Sequence, residues 1–151
     1  MSQLTIEITT PERVLFKQEV DSATIPTAEG EITVLPNHVP LAALLAPGAL
    51  VLRKNGVESL VAVSTGYIQV IGGDHILVLA DTAERADELE VGRIEAAIAE
   101  ARARAEKARL NQDRAEDESF AEAAAAIDRE LARLHVARRH RSRGGPSIKA
   151  E

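Results

Sequence analysis

The residues able to do chemistry are scattered. Four histidines, His38, His75, His135 and His140, fall in separate segments, and no cysteine is present. His135 and His140 are five apart, a spacing that does not bring them onto one helix face. Without cysteine there is no thiolate nucleophile, disulfide or sulfur-ligated zinc, and no metal site is expected. No Gly-rich loop ends in Lys-Ser/Thr, no G-x-G-x-x-G follows a strand pattern, and no G-x-S-x-G elbow occurs. Carboxylates are numerous, but pairs such as Glu100 and Arg104 are four apart, as surface ion pairs on a helix are. This inventory points away from an enzyme working by itself.

The arginines are less evenly spread. Arg129, Arg133, Arg138, Arg139, Arg141 and Arg143 crowd the later part of the chain. At the end of a helix they would complement the negative end of its dipole, and they equally suit an acidic partner surface. A nucleic-acid partner is not expected, because the net charge is -6 and aromatic residues make up 2% of the chain. No run of eighteen apolar residues offers a membrane span, and Met1–Thr5 lacks the basic-then-apolar start of a signal peptide. The expectation is a soluble, cytosolic chain with no direct membrane insertion.

The elements that carry these residues change character near residue 80. Residues 1–80 contain 24 Val, Ile or Thr, against 7 in residues 81–151, whereas the second part holds 18 alanines. Branched side chains fit a pleated surface and alanine loses least on becoming helical, so a β domain is followed by a helical one. Leu4, Ile6 and Ile8 alternate with polar residues until Pro11. Further strand-like runs fall at Val14–Val20, Ala23–Ile25, Ile32–Val34, Leu50–Leu52, Val57–Val63, Tyr67–Ile71 and Ile76–Ala80. Asn55-Gly56 between apolar runs is the strongest hairpin signal, since both turn residues need positive φ. About nine short strands at this spacing predict a sandwich or barrel.

Val91, Ile94, Ile98, Ala101, Ala105 and Ala108 then recur at helical steps, with Asp87 as candidate cap and Glu90 as its reciprocal partner. A second stripe, Phe120, Ala124, Ile127, Leu131 and Leu134, opens on a Ser119…Glu122 capping box. The polar segment Asn111–Glu118 would join two antiparallel helices, and the chain from Arg138 onward reads as a frayed tail. Five anchors (Ile94, Ile98, Ile127, Leu131, Leu134) supply about 10 kcal/mol gross, much of it offset by ordering long charged side chains. The hairpin therefore reads either as a weakly seated arm able to detach, or as an appendage that packs once and stays.

Several blocks of the β part, taken together, resemble the epsilon-subunit family of bacterial F-type ATP synthases. They are Thr10–Phe16, Glu29–Leu41, Pro47-Gly48, Ser64–Val70 and Val78–Glu84, in that order and ahead of a helical hairpin. Thr33 departs from the family's usual glycine. The resemblance implies a β-sandwich of about ten strands (residues 1–84), a helix-loop-helix arm (85–141) and a tail (142–151). It implies a central-stalk subunit at the cytoplasmic side of the bacterial inner membrane, held there by its partners. Those would be the gamma subunit, the c-subunit ring and the alpha/beta catalytic head. Such a subunit couples proton flow to ATP synthesis, and its helices restrain ATP hydrolysis. By position, Glu29, Glu31 and His38 would meet the c ring or gamma, and Arg138, Arg139 and Arg141 would meet the beta subunit when the arm extends. No cofactor is required. Some family members bind regulatory ATP, and the matching positions here are Glu84, Leu89, Arg93, Arg129 and Arg133. Glu90 and Ile94 replace the motif's Asp and Ala, and Glu100 puts an acid where an arginine is expected.

Two other readings stay open at the level of sequence. One is a free-standing regulatory binding module, a sandwich with a helical arm. The other is a small enzyme with its site between sandwich and helices, for which the nucleophile, metal cluster and phosphate loop are all missing.

Overall fold

The computed structural model describes residues 3–110 and 114–143. Ten strands come first: β1 (Leu4–Thr9), β2 (Val14–Val20), β3 (Ser22–Thr27), β4 (Gly30–Val34), β5 (Leu41–Leu45), β6 (Gly48–Lys54), β7 (Val57–Val63), β8 (Gly66–Ile71), β9 (His75–Ala80) and β10 (Ala83–Arg85). A 3-10 turn (Ala86–Glu88) leads to α1 (Val91–Leu110) and α2 (Arg114–Arg143). The strands hydrogen-bond in the order β10-β7-β6-β3-β5-β8-β9-β1-β2, with β4 on β3. All pairings are antiparallel except β1 with β9. This is the expected barrel-like sandwich followed by two helices.

Alternation predicts the inner face well. Leu4, Ile6 and Ile8 are fully buried, and they meet Ile25, Val34, Leu50, Leu52, Val61, Ile68, Val70, Ile76 and Val78 in one core. Asn55 and Gly56 have φ of 52° and 77°, the left-handed pair that a two-residue hairpin turn requires. Two strands went unpredicted. Leu41-Ala42-Ala43-Leu44-Leu45 is made of good helix formers, yet pairing with β8 along its whole length makes it β5. β10 is three residues long and continues the sandwich through Arg85, one residue past the expected boundary.

The motif Ser64-Thr65-Gly66 has a structural explanation. Ser64 N–H donates to Thr82 O at 3.0 Å, and Thr82 N–H donates to Ser64 Oγ at 2.8 Å. Thr65 Oγ1 bonds Asp81 Oδ2 at 2.9 Å. These contacts tie the two chain segments together just where Gly66 pairs with Ala80, and a Cβ on Gly66 would stand 2.0 Å from Leu79 O.

The helical part differs from expectation at three ends. Asp87 lies in the 3-10 turn and does not cap α1, because burial of Ala86 and Leu89 pins this segment and leaves Leu89 extended. Ser119 lies inside α2, which begins at Arg114: Ala115, Glu116 and Glu118 favour helix, but being mostly charged they show no apolar period. The helix also runs on to Arg143, so Arg138–Arg143 is not a frayed tail. Residues 111–113 of the proposed linker and 144–151 of the proposed tail lie outside the described residues.

The α1 stripe holds, with Ile94, Ile98, Ala101 and Ala108 buried. The α2 stripe is rotated: Phe120 and Leu131 are 42% and 40% exposed, whereas Ala123, Glu130, Ala132, Leu134, Val136 and Ala137 are buried. The helix packs on α1 along one side and on β6–β7 and the 3-10 turn beneath, so it buries a broader face than one stripe. The pair Arg138–Glu95 at 3.1 Å joins the end of α2 to the start of α1, as an antiparallel hairpin demands. Replacing Gly66 with alanine should lower unfolding free energy by about 1–3 kcal/mol or more. Urea denaturation reads this directly, and an unchanged midpoint would show that β8 and β9 can part at no cost.

Candidate functional site: an uncovered sheet face and a docked arm

β6 and β7 contain apolar residues on both faces. Leu50, Leu52, Val61 and Val63 point into the sandwich, and Ala49, Val51, Leu60 and Ala62 point out. The outward set is covered by this chain itself. It forms a second core with Ala86, Leu89, Ile94, Ile98, Leu134, Val136 and Ala137, as α2 crosses β6 and β7 and α1 lies along α2. Strands apolar on both sides read as continuous apolar runs, which is how Leu50–Leu52 and Val57–Val63 look.

β5, β8 and β9 have the same double character, with no cover among the described residues. Their outward residues Leu44, Tyr67, Ile71 and Leu79 are large and 45–64% exposed. An open groove runs along this face, lined by Thr27, Glu29, Leu41, Leu44, Tyr67 and Leu79 among others. A contiguous apolar patch on a sheet face marks an interaction site. The sequence reading missed these residues. The available signal was that Leu41–Leu45 and Ile76–Ala80 carry large apolar residues on both alternation phases.

Glu29 and Glu31 are exposed as expected. Glu29 borders the groove at the β3–β4 turn, where Ala28 N–H bonds Leu44 O at 3.0 Å. Glu31 sits on β4 opposite Pro26. His38 is half-buried beyond the other end of β5. Its N–H donates to Gly73 O at 3.1 Å, and its Nδ1 lies 2.7 Å from Val39 O. The chain reaches it through Asn37 in the left-handed region, φ 64°. The two glutamates and the histidine thus flank opposite ends of β5.

The candidate nucleotide residues separate into three settings. Leu89 is buried in the second core. Arg93, almost fully exposed, pairs with Glu90 at 3.0 Å. Glu84, Arg129 and Arg133 gather around the buried Glu130. Arg133 donates to Glu84 Oε2 and to Glu130 Oε2, both at 2.7 Å, and Arg129 Nε lies 4.0 Å from Glu130 Oε1. Burial opposes the Arg133 charge, but hydrogen bonding and attraction from Glu84, then from Glu130, outweigh it and hold the guanidinium above its ordinary pKa. With the folded value raised, its stabilising contribution is complete below the unfolded value and is lost only at extreme alkalinity. Arg133 Nε is buried without a hydrogen-bond partner among the described residues. This clasp joins β10 to α2, and no group of three or more potential metal ligands occurs among the described residues.

Arg138 pairs with Glu95, Arg139 lies 3.6 Å from Glu58 on β7, and Arg141 is exposed. The basic end of α2 is therefore partly engaged within the chain. Arg133→Leu should cost about 1–3 kcal/mol of stability, because Glu130 stays buried without its main cation. Urea unfolding followed by helical circular dichroism measures the loss, and a wild-type midpoint would show the clasp to be energetically neutral.

The chain matches the model of the ATP synthase delta/epsilon chain beta-sandwich domain over residues 3–86. The ATP synthase epsilon chain of Herpetosiphon aurantiacus is 43% identical over 138 residues, covering 91% of this chain and 96% of that one. The epsilon chains of Chloroflexus aggregans and Geotalea uraniireducens are each 41% identical, over 90% and 89% of this chain and 93% and 94% of theirs. In fold, the chain is similar to one in the cryo-EM structure of the Euglena gracilis mitochondrial ATP synthase, OSCP/F1/c-ring in rotational state 1. That match has a TM-score of 0.73 at 24% identity, over 87% of this chain and 79% of the other. A ten-strand sandwich, a two-helix arm and this depth of shared sequence place the chain in the ATP synthase delta/epsilon family, as an epsilon chain of the central stalk.

Proposed function

We propose that this epsilon chain binds the rotor through the uncovered face of β5, β8 and β9, and that its helical arm restrains ATP hydrolysis. The observation that carries the reading is the contrast between two apolar sheet faces. The chain covers one with its own arm and leaves the other, around Leu44, Tyr67 and Leu79, for a partner. The gamma subunit suits that groove as an apolar partner. The c ring suits the polar margin, where the acids Glu29 and Glu31 stand exposed and His38 marks the far end. Bond making belongs to the alpha/beta head, and this chain acts as a non-catalytic coupling part.

The regulatory half of the reading rests on the small size of the arm's seat. Of its apolar contacts, Ala86 and Ala137 remove little area, and Leu131 keeps 40% of its surface exposed. An arm held this way can exchange between a docked and an extended position, where Arg138, Arg139 and Arg141 would meet an acidic surface of the beta subunit. No helix among the described residues is long and apolar enough to cross a membrane. We place the chain at the cytoplasmic face of a bacterial inner membrane, held through its partners.

Of the candidate ATP contacts, Glu84, Arg129 and Arg133 enter this reading as an internal clasp around Glu130. A nucleotide phosphate would have to displace both Glu84 and Glu130 from Arg133, and saturable heat on titrating the chain with ATP would restore the nucleotide site.

Two measurements test the proposal. Leu44→Asp should weaken association with gamma about 10- to 100-fold, the worth of one large apolar contact, while Glu31→Lys should weaken attachment to the c ring. Undiminished copurification of both variants would refute the rotor assignment. In a reconstituted catalytic head, a chain ending at Leu89 should raise ATP hydrolysis about 5-fold or more over the full chain. Equal rates would remove the restraining role.

A further inference from the structure

The last turns of α2 are not held by apolar contact. The second core ends at Ala137, and Arg138–Arg143 are polar and charged. Arg138 pairs with the exposed Glu95 on α1, and among the described residues Arg139 and Arg143 converge on one carboxylate of the sandwich. Glu58, opposite Arg53 in the β6–β7 ladder, accepts two hydrogen bonds from it, from Nε at 3.1 Å and Nη2 at 2.9 Å. From above, Arg139 Nη2 lies 3.6 Å from Glu58 Oε2, and Arg143 Nη1 donates to the same oxygen. Arg139 and Arg143 are four apart and so share one face of the helix.

Three guanidiniums on one carboxylate leave the cluster two positive charges in excess. The Glu58 side chain is 22% exposed and that of Arg139 28%, which limits solvent screening, whereas the other two arginines are about half exposed. Such a cluster closes the arm and at the same time leaves it open to competition from any denser set of acids.

We propose that Glu58 is the positioning residue that latches the end of the arm to the sandwich, and that Arg139 and Arg143 pass from Glu58 to an acidic protein surface when the arm leaves. The passage to a partner rests on the regulatory reading above; the latch itself is a property of the isolated chain. Arg139 then serves in both positions of the arm, so docking and extension exclude each other through the same side chain. Because the exchange trades one set of ion pairs for another, it needs little net free energy and is set by local acid density and ionic strength.

Amide hydrogen exchange on the full chain tests the latch. In Glu58→Gln, amides of residues 134–143 should exchange about 5- to 10-fold faster than in the unaltered chain at about 20 mM salt, with the difference vanishing near 1 M, where screening reaches contact distance. The double variant Arg139→Gln/Arg143→Gln should reproduce the pattern. Glu95→Gln, which removes only the exposed partner of Arg138, should not. Unchanged protection of 134–143 in Glu58→Gln would overturn the latch. So would loss of protection spread through β1 and β9, which would assign Glu58 to the sandwich fold. The rotor and hydrolysis tests use assembled complexes, so failure there is distinguishable from failure here.

Discussion

A β-strand that is apolar on both faces cannot stand in water on either side, and this constraint organises the molecule. Burial of Leu4, Ile6, Ile8, Leu50, Leu52, Ile68, Ile76 and Val78 in the sandwich satisfies the inner faces. The outer faces then demand cover of their own. On β6 and β7 the cover is intramolecular, and it fixes where the chain must go after β10: Ala86 and Leu89 dock first, and α1 and α2 follow. On β5, β8 and β9 the demand is left unmet among the described residues, and Leu44, Tyr67, Ile71 and Leu79 face solvent.

The two covers differ in kind. The groove around Leu44, Tyr67 and Leu79 presents large side chains on rigid, fully paired strands, the makings of a lasting interface. The arm's seat mixes a few branched or leucine anchors with alanines, and adds charge where apolar area runs out. The Glu84–Arg133–Glu130 clasp sits at the middle of α2 and the Glu58 cluster at its end. Ion pairs of this exposure contribute modestly, so they set position and salt response more than strength. One platform thus presents an open apolar face on one side and an arm seated partly through charge on the other.

Much of the candidate site was hidden in the sequence for identifiable reasons. β5 is missing from the strand-like runs because Leu41-Ala42-Ala43-Leu44-Leu45 has no β-branched residue, and only its ladder with β8 makes it a strand, so Leu44 went unnoticed. Glu58 carries no signal of its own within the run Val57–Val63, since its partners Arg139 and Arg143 lie about eighty residues away. Ser119 looked like a cap because a charged, helix-favouring stretch before it carries no apolar period. Leu89 matched a motif for ligand contact, and the structure places it in the second core.

Sequence by itself determined the sandwich interior, the Asn55-Gly56 turn, the change from strand to helix and the inward stripe of α1, because alternation, turn chemistry and helical period are local properties. Its blocks also identified the family, and among them Ser64-Thr65-Gly66 and Asp81-Thr82 form one hydrogen-bonded junction in which Gly66 leaves no room for a Cβ. Tertiary structure alone decided which apolar outer face stays open, how α2 is rotated on β6 and β7, and which acids hold Arg133, Arg139 and Arg143. Those outcomes depend on pairs far apart in the chain, and neither partner's neighbours in sequence carry a trace of the other.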